Sequence, residues 1–230
     1  MDTTGELNTM TEQSRDAILD RHRKNGVAIP ISDGIIIGRD VIIGQGTLIL
    51  PGTIIRGRST IGAGCEIGPN SYLDNAVVGA NCTVRSSQID SSRIGDNVKI
   101  GPMSNIRPDC VVKSGAKVGD FVELKNAVIG AGTSVAHLTY MGDCDVGDNV
   151  NIGCGVVTVN YDGKKKYRTV VGDGAFIGCN TNLIAPVKVG ERAYSAAGTT
   201  ITEDVPEDAL VIGRARQLVK HGWAKRRVNS

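Results

Sequence analysis

The apolar positions of this chain recur every six residues. Ile37, Ile43, Ile49, Ile55, Ile61, Ile67 and Leu73 hold that spacing without a break, and glycine follows the aliphatic residue in Ile37-Gly38, Ile43-Gly44, Ile61-Gly62 and Ile67-Gly68. A small or β-branched side chain stands four residues after the aliphatic one, at Val41, Thr47, Thr53, Ser59, Cys65 and Ser71. The register slips at Val78 and Ile89, then resumes at Ile94, Ile100, Ile106, Val112, Val118 and Leu124. It continues through Ile129, Val135, Val146, Ile152, Val171, Ile177, Leu183 and Val189. A period of six is not the 3.6 of an α-helix. It predicts very short strands joined by tight turns, three to a triangular coil of about 18 residues, with each aliphatic side chain stacked on its equivalent one coil away. Residues 35–203 then make about nine coils. Glycine after the aliphatic residue is expected to supply positive φ or close backbone approach at the turn.

Composition agrees with an all-β solenoid. Among 230 residues there are 30 glycines and only 1 Trp, 5 Tyr and 2 Phe, and large rings have no room inside a narrow prism. The net charge of +2 exerts no global pull toward nucleic acid or membrane. There is no apolar run of about 18 residues that would span a bilayer. The opening stretch MDTTGELNTMTEQSRD lacks the features of a secretory signal. Six scattered cysteines with no C-x-x-C pair fit small thiols in a reducing compartment, so a cytoplasmic location is expected.

Ahead of the coils, Thr9-Met10-Thr11-Glu12 reads as a capping box opening a short helix through Arg23, which Gly26 ends. After Pro206 the period is lost and the chain finishes basic, in AKRR, which reads as a solvated tail. The chain thus divides into a helical arm (1–30), the coils (31–205) and a C-terminal tail (206–230).

A coil needs nothing beyond its repeat, so departures from period are where chemistry is sought. The largest follows Thr158: the next aliphatic-glycine pair is Val171-Gly172, and between them lies NYDGKKKYR, with Lys164, Lys165, Lys166 and Arg168 beside Tyr161 and Tyr167. Projected loops carry binding groups, and clustered cations suit a phosphorylated ligand. The second departure is AGTSVAHLTYMGDCDVGDNVNIG, which holds His137. His22 falls in the helix and His221 in the tail, so His137 is alone in the coils. A single coil histidine argues against a zinc site and leaves proton transfer as the chemistry to expect.

The stretch from Ile106 to Arg214 contains RPD, GDFVELKNA, HLTYMGD, GDNVNIG, VNYDGKKKYRT, FIGCNTNLIAPV, AAGTTIT and IGRA. On these motifs the chain resembles the acetyltransferase half of bifunctional N-acetylglucosamine-1-phosphate uridyltransferase/glucosamine-1-phosphate N-acetyltransferase, within the hexapeptide-repeat acyltransferases. The resemblance implies a left-handed parallel β-helix, and the hand comes from it alone. It implies transfer of acetyl from acetyl-CoA to the amine of glucosamine 1-phosphate, in a homotrimer with its sites in the clefts between subunits. The tail is then expected to complete the acetyl-CoA site. The family's nucleotidyltransferase domain has no counterpart in these residues, so uridylyl transfer is not expected of them and a separate uridyltransferase becomes a possible partner.

Site residues are carried over from the family position by position. His137 matches the catalytic base, and imidazole suits deprotonation of an amine near neutral pH. Arg107, Lys125, Tyr140, Asn151 and Lys166 match residues that hold the phosphorylated sugar. Cys154, Asn160, Tyr161, Cys179, Ala197 and Arg214 match positions along acetyl-CoA, Cys154 offering a backbone N–H to the oxyanion. The family commonly has alanine at Cys154 and serine at Cys179. No catalytic metal, nucleic acid or membrane partner is expected. Two rival readings are a nucleotide-linked amino sugar as acceptor, and a non-catalytic scaffold that binds a separate nucleotidyltransferase.

Overall fold

The structure, a computed structural model, describes residues 10–224. Thr9 and the basic residues 225–227 lie outside it. Among the described residues, helix α1 (Glu12–Lys24) precedes 25 strands, from Ile36–Ile37 to Leu210–Val211, all but two of them of two or three residues and all in one parallel sheet that winds into a solenoid.

Three columns of aliphatic side chains fill the interior. On the first face Ile37, Ile55, Leu73, Ile89, Ile106 and Leu124 stack in register, each at 0% exposure. Ile43, Ile61, Val78, Ile94, Val112 and Ile129 form the second column. The third holds Ile49, Ile67, Val84, Ile100, Val118 and Val135. Burying each such side chain stabilises the prism by about 1.5–3 kcal/mol, so its core is a sum of small repeated terms.

Many of the small polar residues at the corners are buried with their polar atoms hydrogen-bonded to the neighbouring coil. The Thr47 hydroxyl donates to the Gly62 carbonyl (2.8 Å) and accepts from the Cys65 N–H (3.1 Å). The two expected roles of glycine fall at different positions. A Cβ on Gly44, directly after the aliphatic residue, would lie 2.5 Å from the Ala63 nitrogen, so that glycine serves close approach. Positive φ comes two residues later, at Gly46 (77°). In later coils asparagine takes the left-handed place, as at Asn81 (57°) and Asn97 (58°), because its short side chain tolerates that conformation.

The helix starts later than its sequence signal suggested. Thr11, not Thr9, is the N-cap: its hydroxyl accepts from the Ser14 N–H (3.2 Å), and the Ser14 hydroxyl oxygen accepts from the Thr11 N–H (2.9 Å). Glu12 is the first helical residue rather than the far end of the box. Gly26 follows the helix at φ 83°, as expected. Leu19 and His22 are buried against the first coil, and Arg15 Nε donates to the Ile35 carbonyl (2.8 Å).

The segment around His137 does not leave the solenoid. Lys117–Ile129 and Ser134–Val146 are strands of 13 residues each, paired in register from Lys117↔Ser134 to Ile129↔Val146. Its sequence departs from period while its backbone keeps the coil. The segment 160–168, by contrast, is a true excursion between strands Val157–Val159 and Thr169–Val171. Leu210–Val211 pairs with Tyr194–Ser195, so the ladder runs past the point where the six-residue period fades.

Candidate functional site

One cluster forms where the first face meets the corner that follows it. Glu123 pairs with Asn105 on one side and with Tyr140 on the other. That register sets Arg107 one coil before Lys125 and Gly142 one coil after it. Arg107 Nη1 bonds Glu123 Oε1 at 2.9 Å. The Lys125 ammonium meets that of Lys166 from the loop, which is the main reason its pKa is lowered, with Arg107 pushing the same way. Tyr140 lies over the Gly142 backbone, where a Cβ would come within 2.3 Å of the hydroxyl oxygen. Arg107, Lys125, Tyr140 and Lys166 therefore share one surface. Three cations and a phenol there suit an anion attached to a hydroxyl-bearing body.

The loop is pinned at both roots. At one, Asn160 is buried and its side-chain amide donates to Asp143 Oδ2; Asp143 Oδ1 accepts from Asn126 Nδ2 at 2.6 Å. At the other, Arg168 grips Asp145 through Nε and Nη2 (2.5 and 2.6 Å) and donates to the carbonyls of Asn126 and Cys144. The Arg168 hydrogen bond holds the Asp145 carboxyl below its ordinary value of 3.8. Arg168 thus anchors the loop rather than joining a ligand-facing basic cluster. Between the roots, Asp162 Oδ1 accepts from the Lys164 and Lys165 N–H groups (2.7 Å each), and Tyr161, exposed, donates to the Gly163 carbonyl (2.7 Å).

A second group runs along the corner between the third and first faces. His137, Cys154, Cys179 and Ala197 each precede a residue in the left-handed region: Leu138 (43°), Gly155 (74°), Asn180 (55°) and Gly198 (71°). Hydrogen bonds tie these corners coil to coil, Gly155 N–H to the Leu138 carbonyl (3.0 Å), Asn180 N–H to Cys154 (2.8 Å) and Gly198 N–H to Cys179 (2.8 Å). All four residues are exposed. Cys154 and Cys179 differ in this from Cys65, Cys82, Cys110 and Cys144, which are buried. Arg214 reaches the end of the column, its Cδ 3.8 Å from where a Cβ on Gly198 would stand. Leucine at φ 43° is strained by about 1–3 kcal/mol, and it directly follows His137.

Asn151 belongs to neither group. It sits outward on the third face, between Ser134 and Phe176 of the neighbouring coils. One chain therefore spreads the sequence-derived residues over three surfaces. Among the described residues no group of three or more His, Cys, Asp or Glu could hold a metal ion. Gly142, Asn126, Asp143 and Asp145 were not singled out from sequence. Gly142, Asp143 and Asp145 stand in the YMGDCD run and Asn126 in ELKNA, neither of which has chemistry of its own until the coils stack them beside the loop.

Comparison with known proteins places this geometry. A family model described as the EIF2B subunit epsilon LbH domain matches residues 21–124. Solved neighbours include LpxA from Bacteroides fragilis (TM-score 0.58, 18% identity, 78% of this chain and 71% of that one) and from Moraxella catarrhalis (TM-score 0.52, 19% identity, 84% and 77%). These share the fold, a left-handed parallel β-helix. Bifunctional protein GlmU of Caldanaerobacter subterraneus is 52% identical over 223 residues, covering 97% of this chain and 49% of its own. GlmU of Listeria welshimeri is 51% identical over 209 residues, covering 91% and 46%. The chain spans about half the length of these relatives. Its fold is the left-handed parallel β-helix of these solved structures, and nearly the whole of the chain is homologous to about half of bifunctional GlmU.

Proposed function

We propose that this chain transfers acetyl from acetyl-CoA to the amine of glucosamine 1-phosphate, giving N-acetylglucosamine 1-phosphate for UDP-N-acetylglucosamine and peptidoglycan synthesis. The observation that carries the reading is the pairing of a cation surface, Arg107, Lys125 and Lys166 beside Tyr140, with an exposed corner column headed by His137. The first suits a sugar phosphate. The second is a long, narrow track of small side chains, Cys154, Cys179 and Ala197, ending at Arg214, which suits an extended thioester with phosphates at its far end.

In this reading the neutral sugar amine, its ammonium proton already lost to solvent, attacks the thioester carbonyl as His137 takes one of the two protons left on the nitrogen. The carbon–sulfur bond breaks, the thiolate leaves, and the proton passes to it. The Cys154 N–H donates to the oxyanion, a role indifferent to alanine or cysteine at that position. The Thr139 hydroxyl donates to the His137 carbonyl (2.6 Å), which fixes the turn that presents the imidazole. Asn160 and Tyr161 stand on the loop beside Lys166 rather than on the His137 column of the same chain. In this reading they serve the cofactor end of a site shared with a neighbouring copy, and Asn151 binds the sugar. Since Asn151 and the Lys125 surface lie on different faces, a site holding both takes them from neighbouring subunits of a homotrimer, which we place in the cytoplasm. No helix among the described residues is long and apolar enough to cross a membrane.

The test is acetyl-CoA consumption, followed by free-thiol release, with and without glucosamine 1-phosphate. Turnover that needs this sugar and falls roughly a hundredfold or more in His137→Ala supports the reading. Preference for a nucleotide-linked amino sugar, or turnover indifferent to His137→Ala, overturns it.

A further inference from the structure

Three polar residues form a column at the corner after the first face, one on each of three successive coils. Lys125 pairs with Gly142 and Tyr140 with Val157, so Asn126, Asp143 and Asn160 follow one another up the stack. Asn126 and Asp143 both adopt the left-handed region, at φ 45° and 46°, which turns their side chains along the corner. Asp143, 8% exposed, accepts on Oδ1 from Asn126 Nδ2 (2.6 Å) and on Oδ2 from Asn160 Nδ2.

A carboxylate only accepts, whereas an amide has one end of each kind. With Asp143 at the centre, both asparagines are obliged to turn their NH2 groups inward. Asn160 therefore turns its Oδ1 to the side away from Asp143, where it is the only acceptor its amide has. Orientation of an amide is ordinarily a matter of the surrounding hydrogen bonds, and here a single buried carboxylate decides it. The same carboxylate holds the first residue of the excursion that carries Tyr161 and Lys166.

We propose that Asp143 is a positioning residue for acetyl-CoA: it locks Asn160 with its carbonyl oxygen toward the ligand and seats the root of the 160–168 loop. An acceptor at that point suits the amide N–H groups of the pantetheine arm. The inference rests on the reading of Asn160 as a cofactor-end residue given above.

The experiment measures acetyl-CoA binding by calorimetry and thermal unfolding in wild type, Asp143→Asn, and the exchange variant Asp143→Asn/Asn160→Asp. In Asp143→Asn the column stays hydrogen-bonded if Asn160 flips, since the new amide at position 143 then accepts from Asn126 and donates to the Asn160 oxygen. The expected result is a melting temperature within a few degrees of wild type and a Kd for acetyl-CoA raised about tenfold, because a donor now stands where an acceptor did. In the exchange variant the amide at position 143 donates to the carboxylate at position 160, whose second oxygen again faces the ligand, and affinity returns to within about threefold of wild type. Asp143→Asn binding acetyl-CoA as tightly as wild type overturns the inference. So does an exchange variant no better than Asp143→Asn, which would leave Asp143 a structural role alone. A wild-type chain that binds acetyl-CoA but does not acetylate glucosamine 1-phosphate overturns the acceptor assignment and leaves Asp143 to be judged on the same Kd values. A wild-type chain that binds no acetyl-CoA overturns both.

Discussion

At the scale of single residues, the Lys125–Lys166 contact is the most informative. Two ammonium groups meeting at a surface repel unless an anion lies between them, and the proton on Lys125 is held less tightly for that reason, Lys166 being the first cause and Arg107 a further one. A bound phosphate needs the protonated form. On the proposed reading, affinity for the sugar phosphate is therefore present below the lowered Lys125 pKa and lost as pH rises through it. In a profile of KM for glucosamine 1-phosphate against pH, the alkaline rise comes below the ordinary lysine value of 10.5. Lys166→Ala should shift that rise upward in pH while raising KM at neutral pH; an unmoved limb would detach Lys125 from the phosphate. Lys125→Ala should raise KM roughly tenfold with a smaller effect on kcat, the signature of a lost binding contact.

At the scale of elements, the 160–168 excursion is a loop with two anchors of different chemistry. Asn160 is held by neutral amide-to-carboxylate bonding, and Arg168 by a bidentate ion pair with Asp145 plus two carbonyls. Both partners are partly exposed, at 37% and 46%, so solvent screening leaves the ion pair worth about 1 kcal/mol or less. The carbonyl contacts add to it, and Arg168→Ala should loosen the loop without unfolding the solenoid. Trypsin cleavage after Lys164–Lys166 should then speed up severalfold while the melting temperature stays within a few degrees. The sign of the pH effect follows from the Asp145 carboxyl, whose folded pKa is depressed. Its contribution is complete above the ordinary value of 3.8 and falls away as pH drops below it, so amide exchange across 160–168 should rise in acid before the aliphatic columns open. Arg168→Ala should remove the Asp145 part of that acid step and leave the part due to Asp162, whose carboxyl is lowered by the Lys165 and Lys164 N–H groups.

The whole molecule shows how much of this was open to sequence reasoning. The hexapeptide spacing made the prism legible, because its core is one side-chain type repeated at one interval, from Ile37 to Val189. The column of His137, Cys154, Cys179 and Ala197 was legible only as separate residues; the coil makes it a line by placing each before a left-handed corner. Asp143 was hidden altogether. Its function is to accept from coils before and after it, and neither neighbour is close in the chain. The Thr11 cap was displaced from its sequence signal because serine at position 14 can serve in a box as glutamate can. Stacking also explains why no single prism holds the whole set. Lys125 and Tyr140 look out from the first face and its end, Asn151 from the third, and a rigid β-helix cannot bend one toward the other. If neighbouring copies complete each site, then chains carrying Lys125→Ala and chains carrying Asn151→Ala, each impaired alone, should regain activity when unfolded together and refolded in an equal mixture. A closed three-fold ring takes its contacts from adjacent copies at random, so about a quarter of the sites would draw Lys125 and Asn151 both intact from two chains. Light scattering reports the trimer and the thiol assay the recovery. A mixture that stays at the mean of its two parents would mean that each chain builds its site alone, and the division of residues among three faces would need another cause.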